Sequence, residues 1–285
     1  MQFVTPLRYP GGKGRLSQFV ADIIQDNGLI GGHYVEPYAG GSAVALSLLM
    51  LEYASHVHIN DLNRSVHAFW AAVLGDTDRL CARIKSKRIS MAEWNRQRAI
   101  QADLDADPLD LAYSTFFLNR TNRSGIILGG VIGGKNQDGP WKLNARFNKL
   151  DLIQRIERIA SFRHSISLYQ LDASELLKKV LPTLPKRSLV YLDPPYYVKG
   201  KGLYENHYDH SDHAGIAKLV GSIKQRWIVS YDNVPEIRDL YASHSQRTFG
   251  LRYSAQSRYE GSEVMFFSED LNVPSEIVPS RARAA

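Results

Sequence analysis

Two short apolar segments, each running into a helix pattern, constrain the fold more than any other feature. His33-Tyr34-Val35-Glu36-Pro37 reads as a buried strand ending in a turn, and Gly40-Gly41-Ser42 opens an apolar helix from Ala43 to Leu51. His56-Val57-His58-Ile59-Asn60 reads as a second strand, with a second helix from Asn63 to Leu74. Parallel strands need a crossover connection, usually a helix, so this rhythm predicts an α/β fold built on a mostly parallel sheet.

The rhythm stops near residue 75. Leu80 to Asn119 carries helical patterning and little strand signal. Ser90 is a predicted N-cap for Met91 to Gln101, with Glu93 at the third position of a capping box. Asn122 to Asn144 is rich in Gly, Asn and Lys and reads as a loop or hairpin; so long a loop in a compact domain is usually functional or disordered. Strand signals resume at Ser165 to Leu171, Ser188 to Leu192 and Trp227 to Ser230, with helices over Ala173 to Val180 and His213 to Lys224 between them. Glu263 to Ser268 reads as a final strand, and the last dozen residues as a loose tail. The chain's 285 residues and 44% apolar content suffice for one large domain with an insertion. The predicted organisation is a sheet domain of residues 1–74 and 164–285, interrupted by a helical insertion of residues 75–163.

Charge follows the same division. Arg79 to Arg163 holds 16 Lys and Arg against 8 Asp and Glu, a net of +8. The remainder holds 19 against 21, a net of −2, which brings the whole chain to +6. A start at Gly75 adds Asp76 and Asp78 and lowers the insertion to +6. A localised basic excess suits a polyanion partner; a solvated helical surface is the alternative.

The sharpest chemical signal is Asp193-Pro194-Pro195-Tyr196, directly after the apolar strand Leu189-Val190-Tyr191-Leu192. Ligands of open α/β sheets bind at the carboxyl ends of strands, where this tetrapeptide falls. Adjacent prolines fix the backbone and remove two N–H donors, so carbonyl and carboxylate acceptors line the turn without competition. An aromatic amino group needs such a site, because its lone pair is delocalised into the ring. The Asp193 carboxylate and the Pro194 carbonyl, accepting from its two N–H bonds, would draw the nitrogen towards tetrahedral geometry and free the lone pair for attack. Tyr196 offers a flat face for a base.

Other motifs point to an adenosine-type cofactor. Glu36, Tyr38 and Gly40 lie in a strand–glycine turn–helix unit, where a helix N-terminus and close backbone approach suit a nucleotide-like ligand. Asp61 follows the second strand, where an acid accepts both ribose hydroxyls. Asp172 follows the next strand and is placed to accept from an adenine amino group. A helix cap is the alternative for both acids. After Tyr196 the run Tyr197, Lys199, Lys201, Tyr204, His207, Tyr208 mixes aromatics with cations, as base stacking and phosphate contact require. His207, His210 and His213 repeat every third residue, but read as loop contacts and a helix start rather than as a metal site; none is expected. Gly11-Gly12-Lys13-Gly14 lacks the phosphate-loop pattern and no strand precedes it.

With these residues the chain resembles the Dam-type DNA adenine N6-methyltransferases, whose catalytic motif is Asp-Pro-Pro-Tyr. The resemblance covers about residues 7–270 through separate motifs in the family's order: Arg8-Tyr9-Pro10-Gly11-Gly12-Lys13, Val35-Glu36-Pro37-Tyr38-Ala39-Gly40-Gly41-Ser42, Asn60-Asp61-Leu62-Asn63, Asn119-Arg120 with Gly125, Asp172, and Asp193 to Tyr196. It implies a Rossmann-like methyltransferase fold with an antiparallel last strand and an inserted helical target-recognition domain. It implies S-adenosylmethionine as cofactor, with Tyr9 and Lys13 closing over its methionine end. Asp193 to Tyr196 would receive a flipped adenine, and Asp193 would also border the cofactor. Double-stranded DNA would meet Arg120, Asn122, Arg123 and Lys135 of the insertion and Tyr197 and Lys199 beside the catalytic turn. The arginines could instead pair acids of neighbouring helices. Ser42 departs from the glycine common in the family, and Ile126 to Trp141 departs from the better-known Dam sequences, so no target sequence carries over.

Rival classes differ at these residues, N4-cytosine methylation being the nearest. N4-cytosine methylation usually has Ser at the Asp193 position, and RNA adenine methylation commonly has Asn. Cytosine C5 chemistry needs a cysteine nucleophile, and Cys81, the one cysteine, lies in the helical insertion without a preceding proline. A non-catalytic DNA-binding protein of the same fold is opposed by the intact Asp193 motif. No secretory h-region or bilayer-length apolar run is visible. The expectation is a cytoplasmic monomer with no membrane contact, for which a restriction nuclease is an optional companion.

Overall fold

The computed structural model describes residues 4–9, 13–198, 208–253, 259–275 and 277. Lys199, expected on the DNA surface, lies outside them, as do Gly11, Gly12, Lys201, Tyr204 and His207. By internal contacts the chain divides into two compact units. One, the sheet unit, comprises the described parts of Lys13–Leu62, Ser165–Tyr253 and Ser257–Ala285. The other, the helical unit, comprises the described part of Met1–Gly12 with Asn63–His164. The helical unit thus includes the second predicted helix and the N-terminal segment, in addition to the residues read as an insertion.

In the sheet unit seven strands run β1 (Gly32–Glu36), β2 (Ala54–Asn60), β3 (Ile166–Tyr169), β4 (Ser188–Leu192), β5 (Arg226–Asp232), β6 (Ser245–Tyr253) and β7 (Tyr259–Phe267). Their order across the sheet is β3-β2-β1-β4-β5-β7-β6. The first five are parallel; β7 is antiparallel to β5 and to β6. This is a Rossmann-like α/β sheet with the last strand antiparallel, as the resemblance implies. All five residues of β4 are buried, as a central parallel strand covered on both faces must be. Its Val190 and Leu192 join Val35, Trp227, Val229, Tyr231 and Phe266 in one apolar core.

The crossover from β1 to β2 is the helix α2 (Ala43–Met50), six of whose eight residues are buried. Helix α1 (Ser17–Asp26) precedes β1 and buries Phe19, Val20, Ile23 and Ile24, spaced to fill one face. Reversal of the order between β1 and β4 opens a crevice at their carboxyl ends, where such sheets bind ligands. Asn60 fastens that edge: its amide donates to the carbonyls of Pro37 and Leu171 at 2.9 Å and its Oδ1 accepts from the Leu171 N–H at 2.9 Å.

In the helical unit α3 (Arg64–Gly75), α4 (Thr77–Ser86), α5 (Met91–Ala102), α6 (Pro108–Thr121) and α7 (Lys149–Ser161) surround an aromatic core. Phe116 stacks on Phe69 with centroids 6.0 Å apart and meets Phe147 edge-on at 5.3 Å. Helix α6 is capped by Asp107, which accepts from the N–H groups of Leu109 and Asp110, with Pro108 at the first position where its missing donor costs nothing. Ser90 does cap α5, accepting from Glu93 N at 3.2 Å. The side chain of Glu93 accepts from Gln97, one turn on, at 2.7 Å. No helix among the described residues is long and apolar enough to cross a membrane.

Candidate active site

Asp193 sits at the end of β4, in the crevice position. Its Oδ1 accepts from Ser230 Oγ of β5 at 2.7 Å and lies 3.2 Å from the Lys13 ammonium. Ser230 is held in turn by the Tyr191 hydroxyl at 3.0 Å. Lys13 reaches two further partners, Glu263 of β7 at 2.6 Å and the Tyr196 hydroxyl at 2.8 Å. Tyr196 donates its own proton to the other oxygen of Glu263. One cation therefore sits between two carboxylates. Burial disfavours the Lys13 charge, yet Asp193 and Glu263 outweigh it and leave its pKa above the ordinary lysine value. Burial raises the Glu263 pKa, opposed by Lys13.

Tyr196 differs from the expectation of an open stacking face. It is buried, its hydroxyl is bonded into this network, and Lys13 Nζ stands 5.2 Å from its ring centroid. The chain after it is also pinned. Asp232, at the end of β5, accepts from the backbone N–H of Tyr197 at 2.9 Å and of Val198 at 3.0 Å. Tyr197 itself is half-buried, its hydroxyl 3.2 Å from His210 Nδ1. His213 lies inside the helix α8 (His210–Val220), not at its start, and Nδ1 pairs with the Tyr231 hydroxyl at 3.0 Å. The helix begins earlier because Asp209 and Asp212 form a reciprocal capping box. No group of metal-binding side chains occurs among the described residues.

The ends of β1 and β2 carry the acids assigned to a cofactor. Glu36 is buried, and Oε1 accepts from Ala45 N at 3.0 Å, in the first turn of α2. Burial outweighs that bond and pushes its pKa up to about 8. Asp61 reaches back across the crevice edge, with Oδ2 accepting from Gly40 N at 2.9 Å. Gly40 has φ +46°, a conformation that favours glycine. Asp61 is not a helix cap: Asn63 caps α3, accepting from Ser65 and Val66. Asp172 does cap a short helical turn, accepting from Ser174 N at 2.8 Å. Tyr38 pairs its hydroxyl with that of Tyr208 at 3.0 Å.

The residues expected on DNA divide sharply within the helical unit. Arg123 and Lys135 are exposed. Asn122, by contrast, is fully buried and cannot meet DNA in this conformation. It accepts from the Trp94 indole at 2.7 Å and donates to the carbonyls of Ile126 and Ile127 at 3.0 and 2.7 Å. Arg120 is half-buried, with Nε donating to the Arg146 carbonyl at 2.7 Å. Burial, with Arg8 and Arg155 nearby, lowers its pKa to about 9. Neither acid pairing nor free exposure describes it; it holds backbone. Asn119 does the same, exchanging two 2.7 Å bonds with the backbone of Arg8 and donating to Gly125 O at 2.8 Å. Gly125, at φ +79°, allows that approach: a Cβ there would lie 2.3 Å from the Arg8 carbonyl. Tyr9 belongs to this unit and is half-buried. Cys81 is buried in α4, where burial, with Glu157 and Asp78, pushes its thiol up to about 11, unsuited to a nucleophile.

Ser230, Asp232 and Glu263 were not singled out from the sequence. Their signal was faint: a polar residue inside or at the end of an otherwise apolar strand, as in Trp227-Ile228-Val229-Ser230 and Glu263-Val264-Met265-Phe266.

A family model described as the D12 class N6 adenine-specific DNA methyltransferase matches residues 9–258. The type II methyltransferase M.MjaIII of Methanocaldococcus jannaschii is 26% identical over 175 residues, spanning 57% of this chain and 58% of that protein. Among solved structures, protein PH1948 of Pyrococcus horikoshii is similar at a TM-score of 0.45 and 10% identity, covering 92% of this chain and 86% of its own. Protein yhhF of Escherichia coli is similar at a TM-score of 0.37 and 11% identity, covering 92% and 91%. With the family model matching residues 9–258 of the 285, this chain belongs to the D12 class of N6 adenine-specific DNA methyltransferases.

Proposed function

We propose that the chain transfers a methyl group from S-adenosylmethionine to N6 of adenine in double-stranded DNA. The observation that carries this reading is the Asp193 carboxylate at the end of β4, held through Oδ1 by Ser230 and Lys13. Oδ2 and the Pro194 carbonyl are then the acceptors offered to an amino group, and the two prolines supply no competing N–H. Ser230 fixes the carboxylate's orientation. Lys13 offsets part of the charge of Asp193 and Glu263, which lessens repulsion of an electron-rich ring. Tyr196, locked by Glu263, forms a wall of the turn.

The crevice fits an adenosine-bearing cofactor. Asp61 offers a carboxylate beside the backbone of a glycine turn, suited to ribose hydroxyls, and Asp172 lies at the neighbouring strand end. The buried Ser42 hydroxyl has no hydrogen-bond partner among the described residues and opens α2 from the left-handed region at φ +47°. Glu36 and Lys13 supply the polar walls of the same unit. Bound S-adenosylmethionine supplies an electrophilic methyl group on a sulfonium. Because N6 is unreachable inside the base stack, the adenine must be extruded to meet Asp193. The exposed cations Arg123 and Lys135 serve phosphates or base edges of the duplex. The helical unit acts as the target-recognition module, and the protein works as a cytoplasmic monomer with no obligatory nuclease.

The test is incubation of duplex DNA with labelled cofactor, followed by digestion and nucleoside identification. The expected product is N6-methyladenine; N4-methylcytosine, or label confined to RNA, would overturn the reading.

A further inference from the structure

Of the four tryptophans, Trp70, Trp94 and Trp227 are at most 7% exposed, whereas Trp141 is 70% exposed. Its loop is pinned on both sides. Gln137 donates to the carbonyls of Ile132 and Gly134 at 2.8 and 2.7 Å and accepts from Leu143 N at 2.8 Å. Leu143 and Val131 are buried beneath it. Gly133 packs so closely that a Cβ there would lie 2.5 Å from the Trp141 carbonyl. An indole held in water by a built loop has no role in the core, and Leu128, 51% exposed, adds a second apolar side chain on the same segment. The surroundings name the partner: residues 120–149 expose the cations Arg123, Lys135, Lys142 and Arg146 against one acid, Asp138.

We propose that Trp141 is a base-stacking residue, which this loop presents to exposed or opened bases of the DNA. The proposal rests on the reading above that DNA is the substrate. Every base has an aromatic face, so stacking is sequence-tolerant, and the flanking lysines bring the backbone close. A useful contrast is Leu104, which is 82% exposed in the same unit but lies among Asp103, Asp105 and Asp107. Acidic surroundings of that kind repel a polyanion.

The experiment compares the full-length wild type, Trp141→Ala, Trp141→Phe and Leu104→Ala by anisotropy of labelled mixed-sequence duplex and single-stranded oligonucleotide. Heparin serves as a polyanion without bases, and a thermal melt of each variant checks folding. In the wild type, both nucleic acids should quench the exposed indole and heparin should not. The quenching should vanish in Trp141→Phe. Trp141→Ala should bind DNA about 5- to 150-fold more weakly, the equivalent of ~1–3 kcal/mol per stacked base, with heparin affinity unchanged. Leu104→Ala should bind DNA as the wild type does. Equal quenching by heparin, or DNA affinity of folded Trp141→Ala within twofold of wild type, overturns the proposal while leaving methyl transfer intact. A wild type that neither binds DNA nor methylates it overturns the proposed function as well.

Discussion

At the strand ends of the sheet unit, Glu36, Asp61 and Asp193 accept hydrogen bonds from Ala45 N, Gly40 N and Ser230 Oγ. In the helical unit, the motif residues Asn119 and Asn122 turn inward and spend their amides on backbone. There the outward side chains, Arg123, Lys135 and Trp141, lie beside the motif or beyond it. In one region the acids stand at strand ends, whereas in the other the amides hold a loop in shape. The difference lies in burial. A buried amide must satisfy all of its groups internally, whereas Asp61 and Asp193 are only half-buried.

Five substitutions sharpen or break that comparison, beginning with the largest effect. Asp193→Ala should lower methyl transfer by at least ~10²–10³-fold, the scale of losing an aimed polar group at a reacting centre. Calorimetry should show S-adenosylmethionine affinity within a few-fold of wild type; near-normal turnover would remove Asp193 from the chemistry. Asp61→Ala should raise the KM for the cofactor by roughly ten- to a hundredfold, the cost of a charge-assisted hydrogen bond, with partial rescue at saturation. An unchanged KM would reduce Asp61 to a clamp on Gly40.

Asn119→Ala tests the other side of the comparison. It should cost about 1–3 kcal/mol of stability by stranding the Arg8 backbone groups, seen as a lower melting temperature. The folded fraction should bind DNA normally. The smallest effect concerns the arginines. Arg123→Ala should reduce the slope of log affinity against log salt by ~0.9, whereas Arg120→Ala should leave the slope and lower stability. The reverse pattern would mean that Arg120 leaves its carbonyl partners to grip phosphate.

These outcomes bear on how much could be read from sequence. The strand ends were legible because a strand, a glycine turn and a helix are neighbours along the chain, as in Val35 to Ala43. The partners of Asp193 were not, since Ser230 and Glu263 become neighbours only once β5 and β7 are ordered beside β4. Strand β6 went unread because Ser245-Gln246-Arg247-Thr248 is polar; as an edge strand it pairs only with β7. Helices α1 and α7 went unread although Phe19, Ile23 and Leu152, Ile156, Ile159 carry the spacing of one buried face. The inward turn of Asn119 and Asn122 had no local sign, because their partners Arg8 and Trp94 lie 111 and 28 residues away.

Glu36 gives a pH test of the sheet unit. Its folded pKa of about 8 stands above the ordinary 4.5, so its contribution to stability is complete below about pH 4.5 and is lost as pH rises through 8. Glu36→Gln should therefore leave cofactor-free melting near wild type at pH 5 and raise it relative to wild type at pH 9. Parallel melting curves across that range would mean that Glu36 is ionised in the fold.

The central claim is that the acceptors at the end of β4 activate an adenine amino group to take the methyl group of S-adenosylmethionine. Mass spectrometry of nucleosides from duplex DNA incubated with S-adenosylmethionine and either wild type or Asp193→Ala tests it most directly. The account predicts N6-methyladenine from the wild type and none above background from the variant, with both proteins folded and binding cofactor. N6-methyladenine from both, or N4-methylcytosine from the wild type, would contradict it.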